Sequence, residues 1–167
     1  MHKIVFLSLG SNLGDREASL RTAIERLGEL GTVSAVSSLY ETEPVDSAAG
    51  QPWFLNCAVK LDTEKMPRQL IAAILAIEQS MGRQRRPQQK APRTIDIDIL
   101  LFGSSVIELP SLTIPHPRLH ERRFVLEPVA EIAPDARHPV FKRTIRELRD
   151  ALPAGQTVKR LVSTAEN

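Results

Sequence analysis

Asp96 and Asp98 stand two residues apart in the stretch Pro92-Arg93-Thr94-Ile95-Asp96-Ile97-Asp98-Ile99-Leu100-Leu101-Phe102. In a β-strand such a pair shares one face, roughly 7 Å apart, while Ile95, Ile97 and Ile99 turn to the other. Two carboxylates held this way repel each other and attract cations. Hard divalent ions such as Mg²⁺ take oxygen ligands and fill the rest of their shell with water and phosphate. The plainer alternative is a pair that decorates a solvated sheet face or guards an edge strand. Immediately upstream, Gly82 to Arg93 contains Arg83, Arg85, Arg86, Lys90 and Arg93 and no acid. Cations next to paired carboxylates suit a metal-bound polyphosphate, with the metal neutralising some oxygens and Arg or Lys clamping the others. Read alone, the same loop is equally a solvated basic turn or a nonspecific nucleic-acid contact.

Further polar residues surround this core of chemistry. Glu78 precedes the basic loop at the end of an apolar-striped segment and is either an exposed helix glutamate or part of the same site. His116, held between Pro115 and Pro117, is the histidine best placed to touch a phosphate or a leaving-group oxygen; a lone loop histidine is also commonly inert. Asn56 interrupts an apolar strand and either faces solvent or reads the polar edge of a ligand. Cys57 is most simply a small core residue. His120-Glu121 lacks the second histidine of a zinc protease motif, and the chain has no Walker A sequence and no Gly-x-Gly-x-x-Gly, so nucleotide chemistry here rests on aspartates and arginines.

The elements that must position these residues follow from patterning. Lys3 to Leu9 reads as a buried strand ended by Gly10-Ser11-Asn12, and Asp15 as the N-cap of a helix carrying Leu20, Ala23, Ile24, Leu27 and Leu30. Val33 to Tyr40 alternates as a second strand, and Trp53 to Leu61 as a third, with Phe54, Asn56 and Ala58 on one face. Between them, Glu41 to Pro52 is a connection too long and too rich in breakers for a tight hairpin. Pro67 opens a second helix whose stripe is Leu70, Ile71, Ile74, Leu75 and Ile77. With the two-aspartate strand the order is strand-helix-strand-strand-helix-strand, a ferredoxin-like α+β sandwich: an antiparallel sheet with both helices on one face and the other face free. Beyond it come a short strand near Val106 to Leu109, the extended Ile114-Pro115-His116-Pro117, an apolar run to Ile132, and a last helix signalled by Thr144 and Glu147 at capping-box spacing.

The 167 residues are expected to form one domain over 1–167. A composition of 42% hydrophobic and 25% charged residues with a formal net charge of +2 gives no bulk electrostatic reason for a nucleic-acid partner. The start lacks the apolar run of a signal peptide, no apolar run is long enough to span a membrane, and Cys57 has no cysteine to pair with. These features lead to the expectation of a cytoplasmic protein with no membrane partner.

Taken together, Gly10-Ser11-Asn12-Leu13, Phe54-Leu55-Asn56, Gly82-Arg83, Pro92-Arg93-Thr94-Ile95-Asp96-Ile97-Asp98 and Pro115-His116-Pro117 resemble the hydroxymethyldihydropterin pyrophosphokinases of folate biosynthesis, from about residue 3 to about residue 150. The resemblance implies the same ferredoxin-like fold and transfer of pyrophosphate from ATP to the hydroxymethyl group of 6-hydroxymethyl-7,8-dihydropterin, releasing AMP. It further implies that Asp96 and Asp98 hold two Mg²⁺ ions, and that Arg83, Arg85 and Arg93 contact phosphates or nucleotide. Arg83 and Arg93 join the aspartates as catalytic residues. Glu78, Ile99, Thr113, His116 and Arg122 fall where the family contacts ATP; Thr42, Val45, Phe54, Asn56 and Phe124 fall where it holds the pterin, with the two phenylalanines sandwiching the ring. A monomer is expected. The chain departs from common relatives at Gln89, at Lys90-Ala91 and at Pro117, which bears on loop closure and adenosine contacts and not on the aspartates.

Two other classes compete. A nucleotidyltransferase pairing Gly-Ser with two aspartates would set them much closer than Gly10-Ser11 and Asp96 are. An RNA-recognition domain shares the strand-helix order, but its third strand needs a glycine-and-aromatic stacking motif that Trp53 to Val59 lacks.

Overall fold

The computed structural model describes residues 1–43, 52–82 and 94–161. Its core is the expected ferredoxin-like arrangement. β1 (Lys3–Ser11) lies between β4 (Phe54–Thr63) and β5 (Asp96–Phe102), antiparallel to both. β2 (Thr32–Val36) and β3 (Tyr40–Thr42) succeed each other along the far side of β4, and β8 (Val158–Arg160) adds to β3. The expected second strand, Val33 to Tyr40, is therefore broken in two. The break is made by Ser37, whose Oγ accepts the Ala58 N–H at 2.8 Å where a carbonyl would otherwise pair.

Helices α1 (Arg16–Leu27) and α2 (Pro67–Ser80) cover one face. Asp15 caps α1 by accepting the Ala18 N–H at 3.0 Å, and Pro67 occupies the first turn of α2, where its missing N–H costs nothing. Val5, Leu7 and Leu9 of β1, Leu55, Cys57, Val59 and Leu61 of β4, and Ile97 and Ile99 of β5 meet Leu20, Leu27, Leu70 and Ile74 in this core. Full burial of each such Leu or Ile is worth about 1.5–3 kcal/mol relative to exposure. Burial also pushes the Cys57 thiol up to about 12, so it is an inert part of this layer.

The opposite face is not free, as expected from sequence, but partly roofed. α3 (Arg123–Ile132) and α4 (Ile145–Asp150) form a second core in which Val125, Leu126, Val129, Ile145 and Leu148 pack on Phe6, Ala58, Leu100 and Leu101. A register shift between Phe6 and Leu7 delivers both Leu100 and Leu101 to this side. Ser8, Gly10, Asn56, Asp96 and Asp98 are not part of that second core: the first three are buried and the two aspartates half-buried. A hairpin of β6 (Ile107–Leu109) and β7 (Leu112–Ile114) precedes a cis Ile114–Pro115 bond and a 3₁₀ turn, Leu119–Glu121.

Candidate active site

Strand register builds the floor. Tyr40 is paired with Asn56, Asn56 with Gly10, and Gly10 with Asp96, one transverse row across four strands. The next row is Ala58, Ser8 and Asp98. Directly paired residues share a face, so the amide of Asn56 and the acid pair lie on the same surface, with β1 between them contributing only Gly10 and Ser8. Two interstrand spacings put the amide and acid strands roughly 10 Å apart. The alternation anticipated for Asp96 and Asp98 holds: both are half-buried, while Ile97 and Ile99 are buried on the helix side.

At the β3–β4 end, Thr42 Oγ donates to Asn56 Oδ1 at 2.6 Å and Asn56 Nδ2 approaches the Leu9 carbonyl at 3.4 Å. Asn56 is 4% exposed, so of the two readings open from sequence, solvation is excluded. Phe54 is half-buried beside it and paired with Thr42. Arg16 straps the strand ends, donating to the Trp53 carbonyl and to Glu41 Oε2, both at 2.9 Å.

The opposite wall comes from the segment after the cis bond. The His116 N–H donates to the Leu100 carbonyl at 3.0 Å, which pins the segment beside β5. His116 Nδ1 accepts the Arg118 N–H at 3.1 Å, so the neutral ring carries its proton on Nε2. Burial, with Arg122 and Arg118 adding to it and Asp96 opposing, lowers its pKa to about 4. Arg122, half-buried at the start of α3, faces the acid pair: its pKa is lowered by burial, an effect that Asp98 and Asp96 counteract. Its guanidinium carbon lies 5.5 Å from the centre of the half-buried Phe124 ring.

The neutral state of His116 has a consequence for stability. Its folded pKa lies below the ordinary value of 6.5, so the unfolded chain binds the extra proton first and the folded state loses stability as pH falls from about 6.5 towards 4. A His116→Gln variant is expected to lose less melting temperature than wild type across that interval; equal slopes in thermal melts would show that His116 is not held neutral.

Glu78 is 1% exposed, not a surface helix residue, and its Oε2 accepts the Ile97 N–H at 2.8 Å. It thus braces the outer edge of β5 between the two aspartates. Thr113 is exposed on β7, and the Ile99 side chain lies in the helix-side core, opposite Asp98. Val45, Arg83, Arg85 and Arg93, and the departures at Gln89 and Lys90-Ala91, fall outside the described residues. Among the residues singled out from sequence, the structure gathers Thr42, Phe54, Asn56, Asp96, Asp98, His116, Arg122 and Phe124 around one surface. Gly10 and Ser8 were not singled out as site residues; the motif Gly10-Ser11-Asn12 marked the place, but only register shows that they separate amide from acids.

Fold and site define a ferredoxin-like domain with an acid pair facing a buried amide and two half-buried aromatic rings. Residues 6–134 match the family model described as 7,8-dihydro-6-hydroxymethylpterin-pyrophosphokinase. The 2-amino-4-hydroxy-6-hydroxymethyldihydropteridine pyrophosphokinase of Bacillus subtilis is 47% identical over 134 residues, 79% of this chain and 79% of that protein. The Pseudomonas aeruginosa protein of the same name is 43% identical, over 89% of this chain and 91% of its own. The chain is also 43% identical to the folic acid synthesis protein fol1 of Schizosaccharomyces pombe; the match covers 92% of this chain and 21% of that longer protein. In fold, it resembles Plasmodium falciparum HPPK-DHPS crystallised with pteroate, with a TM-score of 0.71 at 20% identity, covering 90% of this chain and 42% of that one. The chain belongs to the hydroxymethyldihydropterin pyrophosphokinase family, enzymes of folate biosynthesis that transfer pyrophosphate from ATP to hydroxymethyldihydropterin.

Proposed function

We propose that this chain, as one domain over 1–167, transfers pyrophosphate from ATP to 6-hydroxymethyl-7,8-dihydropterin with release of AMP, and that the residues gathered on the open sheet face do it. The observation that carries this reading is the transverse row in which Asn56 and Asp96 face each other across Gly10. The pterin lies over Gly10 between Phe54 and Phe124, with Asn56 and Thr42 meeting its polar edge and Val45 beside it. This directs its hydroxymethyl group towards β5. Flat rings between aromatic faces gain roughly 0.5–1.5 kcal/mol beyond burial.

ATP lies on the β5 side. Its phosphates meet Arg122 and the Nε2–H of His116, with Arg83, Arg85 and Arg93 as further cationic partners, and Glu78, Ile99 and Thr113 belong to the nucleotide end. The donor set fits Mg²⁺: two half-buried carboxylates on one strand face supply hard oxygen donors, paired with the small residues Gly10 and Ser8 of β1. Among the described residues no group of three or more acids, histidines and cysteines could hold a metal by itself. Two Mg²⁺ ions held by Asp96 and Asp98 would supply charge neutralisation and a more nucleophilic hydroxyl. The residues' own task is to align the pterin hydroxyl with the β-phosphorus for in-line displacement and to stabilise charge on the departing AMP, a role for Arg83, Arg93 and Arg122. The protein acts as a cytoplasmic monomer in this reading. No helix among the described residues is long and apolar enough to cross a membrane.

Incubation of the purified protein with ATP, Mg²⁺ and hydroxymethyldihydropterin, followed by nucleotide separation, is the direct test. AMP formed only when the pterin is present is the expected result. ADP would mean ordinary phosphoryl transfer, and free pyrophosphate with a nucleotidylated product would revive the nucleotidyltransferase reading.

A further inference from the structure

Glu131, near the far end of α3, keeps part of its carboxylate at the surface, yet it has a dense set of partners away from the acid pair. It accepts from Tyr40 Oη at 2.6 Å, from the Ser38 N–H at 2.9 and 3.1 Å, and from Ser38 Oγ at 3.0 Å. Arg160 of β8 approaches it at 3.7 Å and donates its Nε–H to Ser38 Oγ at 3.1 Å. Ser38 lies in the break between β2 and β3, and Tyr40 is the first residue of β3 and the end of the row Tyr40, Asn56, Gly10, Asp96.

The placement matters because α3 spans the open face. Its first turn carries Phe124 and is preceded by Arg122, which faces the acids of β5; its last turn carries Glu131, which grips β3. Thr42, on the same face of β3 as Tyr40, is the residue that fixes the Asn56 amide. We infer that Tyr40 and Glu131 form a positioning clamp that sets the Phe124 wall against the Thr42–Asn56 floor and thereby the width of the pterin slot. The inference rests on the assignment of Thr42, Asn56, Phe54 and Phe124 to the pterin.

Geometry and ionisation agree. Burial alone would raise the Glu131 pKa, but the hydrogen bonds from Tyr40 and Ser38 outweigh it and hold the pKa below the ordinary carboxylate value. Burial and then Glu131 raise that of the Tyr40 hydroxyl. The pair thus stays carboxylate and phenol across neutral pH, a charge-assisted bond stronger than a neutral one. Tyr40 and Glu131 are not among the residues assigned to either substrate, so loss of the clamp should act on where the walls stand and not on the chemical step. β3 keeps its ladder to β4 and β8 without it.

The test compares Tyr40→Phe, Glu131→Gln, Glu131→Ala and the double variant Tyr40→Phe/Glu131→Ala, measuring dissociation constants for hydroxymethyldihydropterin and for a non-hydrolysable ATP analogue with Mg²⁺. Glu131→Ala is expected to weaken the pterin about tenfold, the equivalent of about 1.4 kcal/mol, while nucleotide affinity stays within about twofold. Glu131→Gln, which keeps an acceptor for Tyr40, should recover much of the loss, and the double variant should be no weaker than Glu131→Ala alone. Unchanged pterin affinity in Glu131→Ala, or equal loss for both ligands in step with melting temperature, overturns the clamp. An Asn56→Ala control separates the two levels. If it loses pterin binding while the clamp variants keep it, the clamp fails and the site assignment stands; if it too keeps pterin binding, the site assignment fails and takes the clamp with it.

Discussion

Asp96→Ala and Asp98→Ala are each expected to lower turnover by about 1,000-fold or more, the scale on which electrostatic groups act on developing phosphoryl charge, without unfolding the protein. Both side chains are half-buried on the open face, while the strand that carries them is anchored by what lies on the other side: Ile97 and Ile99 in the helix-side core, and Glu78 on the Ile97 N–H. Truncating either aspartate leaves those anchors in place and removes one of two like charges held on one strand face. Circular dichroism and thermal melting should therefore place both variants within a few degrees of wild type. The informative comparison is Asp98→Asn, which keeps shape and loses charge: it should be nearly as inactive as Asp98→Ala. Turnover near wild type in either alanine variant would remove the acid pair from the mechanism, and activity lost in step with melting temperature would make the pair structural.

What could be read from sequence, and what could not, divides by the range of the interaction responsible. Asp15 capping α1, Pro67 opening α2, and Thr144 with Glu147 closing a capping box at 2.9 and 3.1 Å are decided within a few residues, so local spacing reveals them. The same is true of the alternation in β5, which separates acids from isoleucines. The break at Ser37 is decided by the N–H of Ala58, which its hydroxyl meets only in the folded sheet. α3 is hidden locally for a different reason. It has no side-chain N-cap and contains Pro128, so the stretch looks like an apolar run punctuated by proline, and what makes it a helix is the second core it forms with Phe6, Ala58 and Leu100. Glu78 looks like a surface residue until β5 presents it with an unpaired edge N–H. At the site, residue types disclosed the acids, the amide and the rings; their facing across Gly10 is a fact of register between strands far apart in the chain.

Gly10→Ala is expected to cost about 100-fold in kcat/KM for the pterin, the equivalent of about 2.7 kcal/mol, through a single methyl group. The reason is space and not backbone freedom: a Cβ at Gly10 would stand 2.6 Å from Asn56 Nδ2 and 3.5 Å from Phe54 Cδ1. Asn56 is 4% exposed and tied to Thr42 and the Leu9 carbonyl, so its short side chain can yield only by giving up a hydrogen bond in a buried place. Yielding also swings the amide towards the surface over β1 where the pterin ring is proposed to lie. Overpacking of this kind typically costs about 1–3 kcal/mol of stability, so a drop of several degrees in melting temperature should accompany the loss. The two effects can be separated. In Gly10→Ala/Asn56→Ala the clash is gone, and stability should return towards that of Asn56→Ala alone, yet pterin binding should stay weak because the group proposed to meet the ring edge is missing. Pterin binding restored along with stability in the double variant would show that Asn56 is packing rather than recognition, and that the polar edge of the pterin is met elsewhere.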